Sequence, residues 1–481
     1  MPIILLISSN VICADTLNTS ELSLQIEGLI QKLLQNTKVG LVVQELDTGK
    51  MLYQRNSNDA FTPASCTKLL TAAAGLLYLG EDYHYDTTLK IKGEDLNNNI
   101  LKGNLYFHFT GDPTLTSSEL KTLIKEIKSQ GIQEIKGDII LDNTRFQGLD
   151  YGLGWIWNAL WWYYSPPITT IMLNQNAVPI QLEPTQTVGE KIGAKLMNEE
   201  DKKRIQLHQN VVSVTEEEAN QHCLFMVNTS LNNDINISGC WPQKSEPTTL
   251  RLALKNPNAY AKKVITEALQ ENGITFSGTV KEGISTKELG NLKTVALHQS
   301  KPLKDLVQTI LQDSNNIYTE SLTKTLGFIR FQEGSFSAGV RAIQEILKDK
   351  LKLDPTKMRL MDGSGLSRYN LIAPSQFATL LYGMHQDKTY GKTFKDALPA
   401  AGEDGTLKAR FQDNTKTDKT DKKSKILAKT GSLMGVSSLS GYINTENGKD
   451  LVFSIMIDNA LQDQKSLKQF EEELCNLLLK L

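Results

Sequence analysis

The sequence predicts a multidomain α/β protein of the α+β kind, in which a large β-rich insertion interrupts one domain. Its 481 residues correspond to about three domains at roughly 150 residues each. Helical and strand patterns occur at both ends of the chain, whereas short strand-like stretches dominate from about 85 to 295. The two ends are therefore predicted to fold together into one domain, with the middle of the chain inserted between them.

The N-terminal part predicts a helix, a hairpin and a second helix. Apolar residues recur at helical spacing over 21–35, and residues 39–56 alternate on either side of an Asp-Thr-Gly-Lys turn, as in a β-hairpin. A helical run then extends from Ser65 to Leu79 and is stopped by Gly80. These elements form the first half of the split domain.

The rest of the chain supplies the insertion and the second half of the split domain. Within the insertion, stretches such as LKIKG, NLYFHFT and GDIILDN predict strands, and one helix is predicted near 258–271. Residues 186–255 are richer in Glu, Asn and Gln and are interpreted as a nested insertion. Helical patterns return from residue 296, and the chain ends with strands at 426–443 and 450–457 and a helix at 464–480.

The predicted division has four parts: a candidate signal peptide at 1–14, a split domain at 15–84 and 296–481, an inserted domain at 85–185 and 256–295, and a nested inserted domain at 186–255. The apolar run of the first segment ends at Ala14 and no Lys or Arg precedes it. This segment is therefore either a truncated or atypical signal peptide or a buried first strand. Residues 412–425, of mixed charge and low complexity, are interpreted as a solvated loop.

Composition excludes several function classes. Lysine and arginine number 52 and aspartate and glutamate 54, so the net charge is −2. A dedicated nucleic-acid binder, which normally carries a basic surplus, is disfavoured. Hydrophobic residues make up 40% and charged residues 22% of the chain, as in a folded protein rather than a disordered one. No apolar run reaches the roughly 18–20 residues that span a bilayer.

Four cysteines lie beyond the first segment: Cys66, Cys223, Cys240 and Cys475. They form no C-x-x-C pair and no cluster with histidine, so the sequence predicts no metal site. Cys223 and Cys240 lie close together in the nested insertion. In an oxidising compartment they would form a disulfide worth about 3 kcal/mol; otherwise they are two small buried hydrophobic residues.

The first of three short motifs is Ser65-Cys66-Thr67-Lys68, at the start of the predicted helix. Lys68 lies one turn after Ser65 on the same helix face. A hydroxyl is a weak nucleophile that needs a base nearby, and an unprotonated lysine amine can take its proton. The helix N-terminus also favours negative charge that develops on a substrate oxygen.

The second motif is Ser314-Asn315-Asn316, which opens another helical run. The hydroxyl of Ser314 can relay a proton to a leaving group, and the side chain of Asn316 can hold a substrate amide.

The third motif is Lys429-Thr430-Gly431-Ser432, on a late strand. A cation and hydroxyls beside an exposed strand edge suit a peptide that ends in a carboxylate. Gly431 would let the strand backbone approach this ligand closely.

Each motif alone is weak, since S-x-x-K also occurs at 118–121 and 321–324, but their order along the chain is specific. On these motifs the chain resembles the low-molecular-mass class C penicillin-binding proteins, the D-alanyl-D-alanine carboxypeptidase/endopeptidase family. Four further segments fit that family: GDPTLT at 111–116, YSPP at 164–167, MDGSGLSRYNLI at 361–372 and LPAAGEDGTLKARF at 398–411.

The resemblance implies a penicillin-binding/β-lactamase-like fold: an antiparallel sheet with flanking helices, an all-α subdomain and a large β-rich insertion. The split domain would be a transpeptidase-like catalytic domain. The implied function is a serine-type D-Ala-D-Ala carboxypeptidase/endopeptidase that acts on peptidoglycan stem peptides through an acyl-serine intermediate and is acylated by β-lactams. It needs no metal or organic cofactor and no nucleic acid, and it acts in the periplasm or otherwise outside the bacterial cytoplasm. Peripheral membrane contact and oligomeric state stay open.

The resemblance also implies residue roles. Ser65 attacks the carbonyl of the penultimate D-alanine, and Lys68 is its base, with a pKa lowered by crowding from Lys429. Ser314 passes a proton to the leaving nitrogen, and the backbone N–H groups of Ser65 and Ser432 hold the oxyanion. The terminal carboxylate is bound by Lys429, Thr430 and Ser432.

Two further candidates lie in the insertion. Asp142 matches a family position whose carboxylate can face the ammonium group of a diaminopimelate side chain; alternatively, it is a turn residue at a strand end. Residues 154–162 hold four of the five tryptophans. They form either a platform for glycan or peptide or aromatic packing between domains.

Two other functions share parts of this pattern. A slowly turning over β-lactam-binding or cell-wall-binding protein is the alternative, although the three intact motifs favour the enzyme. A β-lactamase is disfavoured because the sequence has no E-x-x-L-N segment, and because its Y-x-N match, Tyr442-Ile443-Asn444, lies after the third motif.

Overall fold

A computed structural model describes residues 19–283, 285, 287, 292–411 and 425–481. The candidate signal segment at 1–14 and residues 412–424 of the low-complexity stretch lie outside the described residues. The described helices are α1 Thr19–Leu33, α2 Thr67–Leu79, α3 Ser117–Ser129, α4 Glu199–Arg204, α5 Glu216–Gln221, α6 Pro257–Glu271, α7 Leu303–Gln312, α8 Asn316–Phe331, α9 Phe336–Leu351, α10 Pro374–Gln386, α11 Gly391–Asp396 and α12 Gln464–Leu479.

The described strands are β1 Lys38–Glu45, β2 Met51–Arg55, β3 Asp86–Ile91, β4 Leu96–Asn97, β5 Ile100–Leu101, β6 Leu105–His108, β7 Glu134–Ile135, β8 Ile139–Asp142, β9 Ala177–Glu183, β10 Gly193–Leu196, β11 Leu207–Val214, β12 Met226–Thr229, β13 Ile235–Pro242, β14 Thr248–Ala253, β15 Thr275–Phe276, β16 Val280–Glu282, β17 Lys293–Gln299, β18 Met358–Arg359, β19 Leu371–Ile372, β20 Ile426–Leu433, β21 Val436–Asn444 and β22 Asp450–Asp458.

The central sheet combines both ends of the chain. Its five strands are antiparallel and lie in the order β2-β1-β22-β21-β20. Side chains of β1 alternate between two apolar clusters: Val42 packs with residues of α2 and α7–α10, whereas Leu41 and Val43 pack with residues of α1 and α12. The sheet is therefore covered by helices on both faces, which confirms the predicted antiparallel sheet with flanking helices.

Helices α2 and α7–α11 form the predicted all-α part. Helix α2 is mostly apolar, and residues Thr67 to Leu76 are all buried, so it lies inside this group rather than on its surface. Helices α8 and α9 approach closely at Gly327, where a Cβ would lie 2.6 Å from the backbone nitrogen of Gly339. This close packing fixes the position of α8, which carries the second motif at its start.

The insertion contains the predicted strands and the predicted helix α6, together with three helices that the sequence did not lead us to expect: α3, α4 and α5. Its sheets have the strand orders β16-β8-β6-β3-β17, β15-β7-β5-β4, β10-β9-β14 and β11-β13-β12. Helix α3 begins with a reciprocal capping box between Thr116 and Glu119, which is a readable signal for a helix start. One apolar cluster spans the insertion, including its nested part. The domain boundaries themselves stay a prediction.

Of the two interpretations of Cys223 and Cys240, the structure has the disulfide, which links the loop before β12 to β13. Cys66 and Cys475 are free and buried. None of the helices described is both long enough and apolar enough to cross a membrane.

Candidate active site

Ser65 lies in a tight turn that leads directly into α2. Every residue from Phe61 to Leu70 is buried except Ser65, which keeps partial exposure. The residue before it, Ala64, has a φ of +46°, in a region that non-glycine residues rarely occupy and that is enriched at functional sites. The turn therefore presents one hydroxyl from an otherwise buried segment.

Lys68 is fully buried and its amine has three neighbours. Its Nζ lies 3.0 Å from the Oγ of Ser65, 2.6 Å from the Oδ1 of Asn316 and 2.8 Å from the carbonyl oxygen of Ser364. The predicted one-turn spacing thus brings Ser65 and Lys68 into contact. The first and second motifs also meet, through Asn316.

The neighbours of Lys68 determine where its hydrogens point. The carbonyl of Ser364 can only accept, and the Oδ1 of Asn316 accepts because its Nδ2 donates to the carbonyl of Tyr164 at 2.7 Å. A neutral amine has two N–H groups, which these two acceptors use. Its lone pair is then left for the hydroxyl proton of Ser65.

The pKa of Lys68 is well below its ordinary value. Burial is the largest cause, and the positive charge of Lys429 is the second. Crowding by Lys429 was the predicted cause, and burial contributes more than Lys429 does. The carboxylates of Glu320 and Asp362 act in the opposite direction and raise this pKa.

Ser314 lies in the short link between α7 and α8, with a φ of +56°. Helix α8 begins two residues later, and Asn315 caps it by accepting a hydrogen bond from the backbone N–H of Tyr318 at 3.1 Å. The carboxamide of Asn316 is engaged by Lys68 and Tyr164, so a substrate amide would find only its remaining N–H. The expectation that Asn316 holds substrate stays a prediction.

The third motif lies on β20, an edge strand of the central sheet. Lys429 is fully buried and donates to the Oγ of Ser314 at 3.0 Å and to the carbonyl of Thr430 at 2.9 Å. Burial lowers the pKa of Lys429 to about 8. Thr430 donates to the hydroxyl of Thr406, and Ser432 is exposed. The second and third motifs therefore meet through Lys429 and Ser314.

Gly431 lets β20 lie directly against the nucleophile turn. A Cβ at this position would be 2.3 Å from the Oγ of Ser438, 2.8 Å from the carbonyl of Pro63 and 2.9 Å from the nitrogen of Ser65. We expect Gly431→Ala to push the strand away from Ser65 and to reduce the acylation rate about 100-fold, since about 1 Å of misplacement can cost that much. Rapid-mixing kinetics with a fluorescent penicillin would measure this, and an unchanged acylation rate would contradict it.

Two buried carboxylates beside Lys68 were not found from the sequence. Glu320 accepts from the N–H groups of Gly363 and Ser364, and Asp362 accepts from those of Gly365 and Ser367. Burial, with Asp362 as the second cause, raises the pKa of Glu320 to about 8. Glu320 follows Asn316 by four residues on α8, so helical spacing could have placed it on the same face.

Asp142 lies at the end of β8 and is 2% exposed. It accepts from His108 at 2.7 Å and from the hydroxyl of Thr144 at 2.7 Å, and with them it lines a cavity of about 320 Å³. These contacts are those of a residue that ends a strand. Whether its carboxylate meets substrate stays a prediction.

Within residues 154–162, one tryptophan is packed against neighbouring residues and another is exposed. The Nε1 of Trp155 donates to Asp362 at 2.8 Å, and its ring packs edge-to-face on Phe336. Trp157 is 69% exposed and packs edge-to-face on Trp161. Aromatic packing therefore accounts for Trp155, while Trp157 remains available at the surface.

The described residues contain no group of three or more His, Cys, Asp or Glu side chains arranged to hold a metal ion. The groups available for chemistry in this site are the hydroxyls of Ser65 and Ser314 and the buried amines of Lys68 and Lys429.

Comparisons with known proteins agree with this arrangement. The D-alanyl-D-alanine carboxypeptidase DacB of Haemophilus influenzae is 32% identical over 468 residues, which cover 95% of this chain and 94% of that protein. The crystal structure of penicillin-binding protein 4 (dacB) from Haemophilus influenzae matches with a TM-score of 0.83 at 31% identity, over 95% of this chain and 99% of that one. A structure of the same protein complexed with a β-lactam matches with a TM-score of 0.80 at 29% identity, over the same shares of the two chains.

Fold and site together define a serine hydrolase of the penicillin-binding class. The sequence profile of the D-Ala-D-Ala carboxypeptidase 3 (S13) family matches residues 22–481, nearly the whole chain. The chain belongs to this family. The resemblance to class C penicillin-binding proteins is thereby confirmed, as are the predicted fold class and the assignment as a serine-type D-Ala-D-Ala carboxypeptidase.

Proposed function

We propose that the chain cleaves peptidoglycan stem peptides through an acyl-enzyme on Ser65, as both a D-Ala-D-Ala carboxypeptidase and a DD-endopeptidase. One observation carries the proposal: the amine of Lys68 lies 3.0 Å from the Oγ of Ser65, and within the described part of the chain its two other acceptors are the Oδ1 of Asn316 and the carbonyl oxygen of Ser364. A hydroxyl beside a buried amine of lowered pKa is an activated nucleophile.

In the acylation step, the Oγ of Ser65 bonds to the carbonyl carbon of the penultimate D-alanine while its proton moves to the Nζ of Lys68. Electrons of the C=O bond move onto the oxygen. The backbone N–H groups of Ser65 and Ser432 hold the resulting oxyanion, an effect that typically lowers a barrier by several kcal/mol. A Cβ built on Gly431 would lie 2.9 Å from the backbone nitrogen of Ser65, so strand β20 lies directly beside this N–H group. This proximity supports the assignment of the Ser65 and Ser432 N–H groups to one oxyanion site.

The tetrahedral intermediate then collapses, and its C–N bond breaks. Ser314, which accepts a hydrogen bond from Lys429 at 3.0 Å, relays a proton to the leaving nitrogen. The proton that Lys68 took from Ser65 is the one that the leaving amine finally gains through Ser314, so the amine of Lys68 is neutral again before hydrolysis. Water then attacks the acyl carbon, gives a proton to Lys68, and displaces Ser65, which is reprotonated.

Lys429, Thr430 and Ser432 bind the terminal carboxylate of the substrate. A fully buried cation strongly favours an anionic partner, because an isolated buried charge is costly. Penicillins carry a carboxylate in the corresponding position, so the same residues would receive them. The β-lactam complex of the Haemophilus influenzae relative supports β-lactams as ligands of this site.

The proposed site of action is the periplasm or another compartment outside the bacterial cytoplasm, with residues 1–14 as its signal peptide. The Cys223–Cys240 disulfide supports an oxidising compartment. Peptidoglycan peptides and β-lactams are the proposed partners; nucleic acid is not.

The proposal is tested by supplying an acyl-D-Ala-D-Ala peptide and a cross-linked dimer of wall peptides in separate reactions. We expect D-alanine from the first and monomers from the second, with both reactions blocked by prior acylation with penicillin. Release of D-alanine without cleavage of the dimer would show that the enzyme has carboxypeptidase activity and lacks endopeptidase activity. Penicillin labelling without either product would favour the alternative, a slowly turning over binding protein.

Asp142 is proposed as the contact for a diaminopimelate ammonium group. We expect Asp142→Asn to reduce kcat/KM much more for peptides with a diaminopimelate side chain than for simple acyl-D-Ala-D-Ala, because only the former offers a cation to the carboxylate. Steady-state kinetics on the two substrates measure the difference. Equal losses on both would assign Asp142 to the structure of the strand end instead.

A further inference from the structure

A fully buried carboxylate is connected to Lys68 through one peptide segment. The two oxygens of Glu320 accept from the backbone N–H groups of Gly363 and Ser364 at 3.0 and 2.8 Å. The carbonyl of Ser364 in turn accepts from the Nζ of Lys68 at 2.8 Å. The contacts therefore run from Glu320 through the backbone of Ser364 to the amine of Lys68.

One face of α8 thus fixes both acceptors of the Lys68 amine. Asn316 and Glu320 are four residues apart on this helix, so their side chains lie on the same face. Asn316 contacts Lys68 directly at 2.6 Å, whereas Glu320 acts through Ser364. If either acceptor moved, the amine would have an N–H group free to turn toward Ser65 in place of its lone pair.

The backbone at Ser364 has little intrinsic rigidity, because Gly363 and Gly365 lie on either side of this residue. A Cβ at Gly363 would be 1.8 Å from the Oγ1 of Thr323, and one at Gly365 would be 1.7 Å from the carbonyl of Ala64. Close packing therefore requires glycine at both positions, and glycine has the largest conformational freedom of any residue. Hydrogen bonds from the backbone to Glu320 restrict that freedom at the carbonyl that contacts Lys68.

We propose that Glu320 is a positioning residue for the general base: it holds the Ser364 carbonyl so that the lone pair of Lys68 faces Ser65. The inference rests on the proposed function, in which Lys68 is that base. Both carboxyl oxygens accept the two N–H groups whether or not the carboxyl carries a proton, because a protonated carboxyl keeps lone pairs on each oxygen. A carboxamide cannot do this, since its nitrogen only donates.

Glu320→Gln separates these cases, because it keeps the size of the side chain and sets an NH₂ group against one of the two backbone N–H groups. We expect the first-order acylation constant with a fluorescent penicillin to fall about 100-fold, the cost of roughly 1 Å of misplacement. The dissociation constant of the non-covalent complex stays within about twofold, since Lys429 and Thr430 are untouched. The first-order acylation constant is obtained from the time course of the protein that becomes labelled. Misfolded protein therefore lowers the amplitude of labelling and leaves this rate constant unchanged.

Asp201→Asn is the matched control. Asp201 is also a buried carboxyl, 2% exposed, but it lies in the insertion and accepts from the hydroxyl of Tyr260 at 2.5 Å. The first-order acylation constant of the Asp201→Asn variant should equal that of the wild type. If Glu320→Gln does not fold, Glu320→Asp carries the test, because one methylene less prevents the carboxyl from reaching both N–H groups; a fall of about tenfold is expected.

Three results would overturn the inference: a wild-type acylation constant in the Glu320 variant, a loss of amplitude alone, or a loss confined to non-covalent binding. Lys68→Ala keeps this failure apart from failure of the proposed function. If Lys68→Ala is not acylated while Glu320→Gln reacts normally, only the positioning role is wrong. If Lys68→Ala itself reacts at the wild-type rate, the base has been misassigned.

Discussion

Replacing Lys429 by glutamine is expected to slow acylation by about 10²–10³-fold with both D-Ala-D-Ala peptides and penicillins, the size of effect that loss of one preorganised electrostatic contact has at an active site. Both ligands carry the carboxylate that the buried cation would receive. Lys429 also donates to the Oγ of Ser314 at 3.0 Å, so glutamine additionally disturbs the group proposed to protonate the leaving nitrogen. Stopped-flow acylation kinetics measure the change.

The same substitution should move the pH profile in a defined direction. Lys429 lowers the pKa of Lys68 by charge repulsion, second only to burial. Without it the pKa of Lys68 rises, so the amine becomes neutral only at higher pH. The pH at which acylation switches on should therefore shift upward in Lys429→Gln.

The wild type should also lose activity on the alkaline side. Since burial lowers the pKa of Lys429 to about 8, its charge is present below that pH and is lost as the pH rises through it. This fall should be absent from Lys429→Gln. Lys392→Gln, at an 87% exposed side chain, is the control and should match the wild type. If Lys429→Gln slows binding but leaves the pH dependence of acylation unchanged, recognition of the carboxylate by Lys429 is supported. The lowering of the Lys68 pKa by Lys429 is then contradicted.

Ser65→Ala is expected to abolish both D-alanine release and covalent penicillin labelling while the fold is kept. The substitution removes one partly exposed hydroxyl and creates no cavity in the core, so stability should change by less than about 0.5 kcal/mol. Thermal unfolding and labelling of the same preparation measure both.

Ser118→Ala is the matched control for this loss. Ser118 is also the serine of an S-x-x-K sequence, ending at Lys121, but it is exposed at the start of α3. It should label and turn over as the wild type does. Stoichiometric labelling of Ser65→Ala would show that another residue is the nucleophile.

Short-range patterns explain why much of the site could be predicted from the sequence. Ser65 and Lys68 are one helical turn apart, so their contact follows from local geometry once a helix is expected there. The sequence also predicts a strand around Lys429, but residues 426–443 form two strands, β20 and β21, and the position of β20 at the sheet edge is known only from the structure. The alternation at 39–56 predicts the hairpin of β1 and β2, and the chain end at 464–480 is correctly predicted as helix α12.

Contacts between distant segments could not be derived from such patterns. The carbonyl of Ser364 reaches Lys68 only because α8 and the segment after β18 pack against α2, and no local period encodes that packing. The positive φ of Ala64 is equally invisible, since alanine carries no sequence signal for it. Helix α3 is a different case: its Thr116–Glu119 capping box was readable, but the surrounding strand-like stretches dominated the interpretation.

The location of the penicillin adduct in the wild-type chain tests most directly whether Ser65 is the nucleophile. After brief incubation with penicillin, intact-mass analysis and peptide mapping by tandem mass spectrometry identify the modified residue. We expect one adduct per chain with the mass of the intact drug, carried by the peptide that contains Ser65 and assigned to its Oγ. An adduct on Ser314, on a lysine or on any other residue would contradict it, as would a chain that remains unmodified.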